Sequence, residues 1–214
     1  MGEHIDRHRL TTNLRYRFDY ITKCIDFTSD DINMLNILAP IIIPLLPSIV
    51  EKAYKKLYSY DITRNYFLSP HDGFEQFCPN KETGSTLISV QVNYRKDMLS
   101  VYLGRILTER DWNDTFLQYL SRVGEIHTTN GGVASINVDY LHINTLLSFL
   151  ETTFIGIVWN TDKVDETKKL AALSAINKFF WIQNDFFTMH YGISVKEKNI
   201  SSVPITSLSK CWFH

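Results

Sequence analysis

Apolar residues recur at intervals of three and four along most of the chain, the spacing of one face of an α-helix. The pattern is most regular between Trp112 and His127, where apolar and aromatic positions form a single stripe. Similar stripes predict further helices at 14–27, 28–39, 47–61, 86–108, 140–159 and 165–191. No stretch alternates apolar and polar residues as a half-exposed strand does. The sequence therefore predicts an all-α fold.

His127 lies on the apolar face at the end of the most regular of these helices. Thr128 to Asn130 and then Gly131-Gly132 follow, and this composition predicts that the helix ends there. A histidine carried inward on a last turn can hold a metal or a haem iron through one axial bond. The second interpretation is a partly buried histidine whose positive form suits the dipole at a helix C-terminus. Spacing alone favours the second interpretation.

A tyrosine on an earlier helix is a second candidate for chemistry. The helix predicted at 47–61 has Pro47 in its first turn and turns Tyr54 toward the core, with lysines on its outer face. A buried tyrosine hydroxyl needs a hydrogen-bond partner. That partner is either a backbone carbonyl, which the pattern favours, or a bound ligand.

The last two predicted helices, at 140–159 and 165–191, are apolar beyond one stripe. A second apolar surface of this kind predicts a homodimer that packs through both helices. His142 and His190 lie on them in apolar surroundings and are either satisfied core histidines or alternative axial ligands. Gly192 predicts the end of the last helix. The predicted division is a polar lead-in at 1–13, one domain at 14–192 and a non-core tail at 193–214.

The net charge and the cysteines indicate which cellular compartment and which classes of partner to expect. The formal net charge is −1 with acidic and basic residues interspersed, so no basic patch predicts nucleic-acid binding. Cys24, Cys78 and Cys211 are odd in number and form no CxxC pair, which supports neither a disulfide framework nor a zinc site. The start is charged, and the apolar run at 37–50 holds three prolines and is too short for a bilayer. We expect a cytoplasmic protein without a membrane partner.

Residues 68–85 are rich in Pro, Gly, Asn and His and lack periodicity, which predicts a loop. A loop of this length is either a lid or a disordered surface insertion. No P-loop, GxGxxG or nucleophile elbow occurs anywhere in the chain. The motifs therefore identify no enzyme class and leave open whether the chain is an enzyme.

Three segments, in this order and spacing, resemble the protoglobins and the sensor domains of globin-coupled sensors. RVGEIHTT, at 122–129, is similar to their proximal-histidine segment, where a glycine lies three residues before the haem-binding histidine. AYKKLYSYDITRNYF, at 53–67, is similar to their second helix and the turn after it. The helix predicted at 14–27 is similar to the extra helix that this family has before its first globin helix. The resemblance covers about residues 14–191 and is to the single-domain form.

This resemblance implies an all-α, globin-like fold with an extra N-terminal helix and a bound haem b. His127 would be the proximal ligand of the iron, and Tyr54 would be the distal hydrogen-bond donor to a bound gas. The remaining ring nitrogen of His127 should bond a nearby backbone carbonyl or side chain, which would fix its tautomer.

The resemblance also implies five further haem-contacting residues. Tyr102 would face the haem from the distal helix. Val123 and Ile126 would pack beneath the ring, and Leu146 and Phe149 would form the far wall.

The function that the resemblance implies is reversible binding of O₂, CO or NO at a five-coordinate haem iron, for sensing, binding or scavenging. Two alternatives remain open. One is a haem enzyme of the NO dioxygenase type, which needs an electron donor. The other is a haem-less, globin-like dimer that acts as an interaction or signalling module.

Overall fold

The computed structural model describes residues 2–68 and 85–200 of the chain. Over these ranges the backbone forms α-helices and no strand, as the apolar spacing predicts. Nine α-helices are described: α1 Arg7–Thr12, α2 Leu14–Cys24, α3 Ser29–Ile42, α4 Leu46–Tyr58, α5 Asp61–Leu68, α6 Ser85–Thr108, α7 Asp114–Glu125, α8 Tyr140–Asn160 and α9 Glu166–Ile200. Nearly all of the loop predicted at 68–85 and the end of the tail, 201–214, lie outside the described residues.

A short polar side chain decides where α7 begins. The side chain of Asn113 accepts a hydrogen bond from the backbone N–H of Phe116 at 3.1 Å, so α7 begins at Asp114. Trp112, predicted to lie in this helix, precedes it and packs its indole against Phe116 with ring centroids 5.2 Å apart. The start of α7 is therefore set by the capping residue rather than by the first apolar residue.

The apolar run at 37–50, which contains three prolines, lies in one continuous stretch of helical backbone. Pro40 lies inside α3, and a single 3-10 turn at 43–45 joins α3 directly to α4. By length and composition alone, Ser29–Tyr58 and Tyr140–Asn160 are long and apolar enough to cross a bilayer. Core helices of a soluble protein meet the same criterion, and both stretches contribute fully buried residues to the common core, such as Leu38 and Leu150.

Both ends of the described chain are more helical than the sequence predicts. The polar lead-in contains α1, whose first turn is capped by Asp6 through the backbone N–H of His8 at 2.8 Å. The helix predicted to end before Gly192 continues through it to Ile200. A glycine inside a helix costs only about 1 kcal/mol relative to alanine, so it does not terminate a helix whose other turns are well packed.

Helix α9 is the centre of the packing, with α2, α3, α7 and α8 arranged against it. Its aromatic residues Phe179 and Phe186 are almost completely buried. Helix α4 packs instead against α5, α6 and α8. A cavity remains where the end of α7 approaches α4, α6 and α8.

Candidate functional site

The cavity has a volume of about 370 Å³ and is lined by side chains from α4 to α9 and from the turn after α7. This volume is in the range of sites that hold small molecules and cofactors. Six of the predicted site residues line it: Tyr54, Tyr102, Val123, Ile126, His127 and Leu146. Phe149, the seventh, is not one of the lining residues; it is half-buried, with the Lys56 ammonium 5.8 Å from its ring centroid.

His127 lies in the turn just after α7, because the helix ends at Glu125 and not at the histidine itself. Its Nδ1 is 2.7 Å from the backbone carbonyl oxygen of Val123, which assigns the ring proton to Nδ1. Nε2 therefore carries the free lone pair, and it makes no hydrogen bond to any described residue. A carbonyl partner on one ring nitrogen fixes the tautomer and orientation that a metal-binding histidine needs at the other.

Burial keeps the imidazole of His127 neutral. Desolvation lowers the pKa of His127 from 6.5 to about 4, and the positive charge of Arg95 acts in the same direction. The hydrogen bond to the carbonyl of Val123 opposes this shift but is the smaller effect. Neutral imidazole is the form that binds a metal ion, and it is the form present near pH 7.

The backbone carbonyl of His127 is hydrogen-bonded by residues that lie later in the chain. Its carbonyl oxygen accepts a hydrogen bond from the backbone N–H of Val138 at 3.0 Å. The hydroxyl of Tyr191, on α9, lies 3.0 Å from the same oxygen and also contacts the carbonyl of Val138. These bonds attach the turn that carries His127 to α9.

Two glycines allow the chain to approach itself closely on either side of His127. A Cβ added at Gly124 would lie 3.0 Å from the carbonyl oxygen of Phe186 and 3.0 Å from a ring carbon of His190, so glycine brings α7 close to α9. A Cβ at Gly131 would lie 2.7 Å from the Cα of Ile126, which no side chain can accommodate without movement of the backbone. The glycine that lies three residues before the histidine thus has a packing role.

Tyr54 enters the cavity from α4 and is 7% exposed. Its ring packs against Phe67 with centroids 5.5 Å apart. Its hydroxyl makes no hydrogen bond to the described residues, so the backbone partner that the sequence favours is not found there. Burial raises the pKa of Tyr54 well above 10, so the hydroxyl keeps its proton and remains a donor.

Several residues of the cavity were not predicted as site residues. Gln91 and Arg95 are two of them, and His142, one of the two alternative axial ligands, also lines the cavity. The Oε1, Nη2 and Nε2 atoms of these three residues are buried without a hydrogen-bond partner, as is the hydroxyl of Tyr102. Buried polar atoms are normally paired. In the described part of the chain, four of the six buried side-chain atoms without a partner belong to residues that line this cavity.

The structure separates the two alternative histidine ligands. His142, at the start of α8, lines the cavity with His127. His190 does not line it, and its Nε2 lies 2.8 Å from the hydroxyl of Ser121. Burial lowers the pKa of His190, so it too is a neutral histidine with a satisfied partner.

These residues fit haem better than a metal ion held by protein ligands alone. No group of three or more His, Cys, Asp or Glu side chains that could hold a metal occurs in the part of the chain that the structure describes. The cavity instead offers one free imidazole nitrogen, apolar walls from residues such as Val123, Ile126 and Leu146, and the unpaired polar atoms. A flat apolar cofactor that brings its own metal and its own polar groups matches this donor set.

Comparison with known proteins supports the same fold. A family model described as Protoglobin matches residues 14–197. A solved structure, the globin domain of the Geobacter sulfurreducens globin-coupled sensor, is similar with a TM-score of 0.62 at 14% sequence identity, over 81% of this chain and 96% of that one. No curated protein sequence is significantly similar to the chain. The predicted all-α, globin-like fold is confirmed.

Proposed function

The chain belongs to the protoglobin family, and we propose that it is a haem protein that reversibly binds O₂, CO or NO in the cavity shared by Tyr54 and His127. One observation carries this proposal: Nε2 of His127 is free while Nδ1 is held by a backbone carbonyl at 2.7 Å. Haem would supply an iron with one coordination position open to gas. The sequence has no CxxCH attachment motif, which favours non-covalent haem b.

Residues of the chain would contact both sides of the haem, with a different role on each side. His127 would hold the cofactor by its neutral imidazole, with the Val123 carbonyl keeping the ring oriented. Val123 and Ile126 would exclude water beneath the ring. The protonated hydroxyl of Tyr54 would donate a hydrogen bond to a polar gas on the other side.

An absorption spectrum of the purified protein reconstituted with haem tests this proposal. We expect a Soret band in the wild-type protein and its loss, or a shift to a free-haem spectrum, in His127→Ala. His190→Gln is the matched control, because His190 is a half-buried histidine whose pKa is also lowered by desolvation, but it lies outside the cavity. No band in the reconstituted wild-type protein would refute the haem proposal, and an unchanged band in His127→Ala would remove His127 as the ligand.

The haem-less interaction module is the weaker alternative. It would leave the unpaired polar atoms of Gln91, Arg95, Tyr102 and His142 buried without compensation, at a cost in folding free energy for each. NO dioxygenation would use the same site with an external electron donor. Stopped-flow measurement of NO consumption in the presence of a reductant separates that enzyme from a gas-binding protein.

We also propose that the protein is a cytoplasmic homodimer that pairs through α8 and α9. These helices expose large apolar side chains, with Trp159 65%, Leu170 79% and Trp181 58% accessible. Exposed clusters of large apolar residues are typical of interfaces. Sedimentation should give a dimeric mass that falls to a monomer in Trp181→Glu but not in Ile62→Glu, an exposed apolar site on α5. A monomeric wild-type protein would refute the dimer. The exposed thiol of Cys24 suits a reducing cytoplasm.

A further inference from the structure

Arg95 is a partly buried cation without a negatively charged partner in the described part of the chain. It lies on α6 and lines the cavity. Its Nη1 donates a hydrogen bond to the backbone carbonyl of Tyr66 at 3.1 Å, and its guanidinium carbon lies 5.4 Å from the ring centroid of Phe67. Its Nη2 is buried and has no hydrogen-bond partner.

Among the described residues, this arrangement leaves the charge of Arg95 to be balanced by an anion bound in the cavity. A guanidinium keeps its proton at any ordinary pH, so Arg95 cannot become neutral as a buried histidine does. A charge removed from water costs several kcal/mol unless a counter-charge compensates it. The neighbouring hydroxyls, Tyr54 and Tyr58, are neutral phenols whose pKa values are raised by burial, so neither supplies that counter-charge.

A second donor lies at the same corner of the cavity. His142 packs its ring against that of Tyr66 with centroids 5.6 Å apart, and its Nε2 is buried without a partner. Tyr66 is itself fixed, because its hydroxyl donates to the carboxylate of Asp139 at 2.8 Å. Arg95 and His142 therefore flank one well-held residue; we call these three residues the Tyr66 corner.

We propose that the Tyr66 corner binds a carboxylate, and that this carboxylate is a propionate of the haem. The inference rests on the haem-binding function proposed above. A guanidinium presents parallel N–H donors that match the two oxygens of a carboxylate. His142 Nε2 supplies a further donor when it carries the ring proton.

A propionate suits the Tyr66 corner better than a free anion, because it is part of the bound cofactor. The cofactor brings its carboxylates with it and remains bound, so it balances the charge of Arg95 for as long as the protein is loaded. A small anion such as azide or nitrite would balance the charge only while it is present. Arg95 would then be a cofactor-binding residue that slows the loss of haem.

The test compares two cofactors in three variants. Haem b and its dimethyl ester, in which both propionates are neutral, are loaded separately, and the rate of cofactor transfer to excess apomyoglobin is measured. Arg95→Met keeps the approximate length of the side chain and removes its charge, and Arg95→Lys restores a point charge. Arg64→Met is the matched control, since Arg64 is an exposed arginine on α5 that does not line the cavity.

We expect Arg95→Met to lose haem b about tenfold to a hundredfold faster than the wild-type protein, the effect of a lost charge-assisted hydrogen bond. The dimethyl ester should leave the two proteins at similar rates. Arg95→Lys should be intermediate, and Arg64→Met should match the wild-type protein. A loss rate of haem b that Arg95→Met leaves unchanged would overturn the inference, as would an equal acceleration for haem b and the ester.

The stability of the haem-free protein distinguishes this role from simple packing. Without haem, Arg95→Met should be at least as resistant to urea as the wild-type protein, because an unbalanced buried charge has been removed. A packing role would lower the stability of the protein with and without haem. Weaker azide binding by the ferric variant, with unchanged loss of haem b, would instead assign the anion to the gas side and overturn the inference. Absence of a Soret band in the wild-type protein would refute haem binding itself, which the other outcomes do not.

Discussion

Replacement of Tyr54 by phenylalanine removes one hydroxyl and leaves the buried ring in place. The hydroxyl makes no hydrogen bond to the described residues, so no existing bond is broken in the ligand-free protein. The contact with Phe67, at 5.5 Å between centroids, is kept. We therefore expect the free energy of unfolding of the haem-free protein to stay the same or to rise slightly.

The gas-bound protein should respond very differently. Bound O₂ is partly negative, and a hydrogen bond to a charged acceptor contributes about 1.5–3 kcal/mol. Because this hydrogen bond exists only while O₂ is bound, its removal should appear mainly in the dissociation rate. O₂ dissociation then becomes roughly ten to a hundred times faster. Bound CO is less polar, so its dissociation should change much less.

The assay is stopped-flow displacement of O₂ and of CO from the reduced protein, with urea unfolding measured on the haem-free form. Tyr58→Phe is the control, because Tyr58 lies one turn later on α4 and stacks on the same Phe67 without lining the cavity. It should leave both off-rates unchanged. Equal acceleration of O₂ and CO in Tyr54→Phe would refute the donor role of Tyr54, and a large loss of stability would show a structural role instead.

Two further predictions concern the packing around His127 rather than the gas. Gly124→Ala should lower the free energy of unfolding by about 1–3 kcal/mol, since its Cβ meets a main-chain carbonyl of α9 at 3.0 Å. Gly156→Ala, where a Cβ meets nothing within 4 Å, should instead raise it by about 0.5–1 kcal/mol in urea titrations; equal effects would contradict the close approach. Burial lowers the pKa of His190 below 6.5, so the unfolded chain binds a proton more readily, and stability should fall as pH decreases below 6.5. His190→Gln should reduce this dependence in unfolding measured from pH 7.5 to 5, and an unchanged slope would contradict the buried neutral state of His190.

The sequence predicts the helices well and their ends less well. The intervals of apolar residues place α6 and α8 within one residue of their observed limits at 85–108 and 140–160. The ends depend on single hydrogen bonds or on tertiary contacts that the interval does not encode. Trp112 is apolar and in phase with α7, yet Asn113 caps the helix after it. Gly192 does not end α9, because a glycine inside a helix costs only about 1 kcal/mol.

The cavity shows a similar division. Apolar periodicity shows which side of a helix faces the core, so it predicts that His127 and Tyr54 both point inward. Both residues line the cavity. The apolar spacing does not single out Arg95 or Gln91, since a polar residue near an apolar row is usually exposed. Arg95 lies four residues before Leu99, and Gln91 lies seven residues before Met98, on the wide face of α6. Only the enclosure by α4 and α8 shows that this part of the face is buried, and that contact joins distant parts of the chain.

The hydrogen bonds to the carbonyl of His127 have a mechanical consequence. The hydroxyl of Tyr191 shares its one proton between that oxygen and the carbonyl of Val138, so movement of His127 relative to α9 disturbs an interaction of at most about 1 kcal/mol. A small displacement of the histidine is therefore cheaper if the helix moves with it. From Tyr191 the helix continues to Ile200, a distance of about 13 Å at 1.5 Å per residue. The far end of α9 is thus a position where a fluorescent or spin label would report strain that originates at His127.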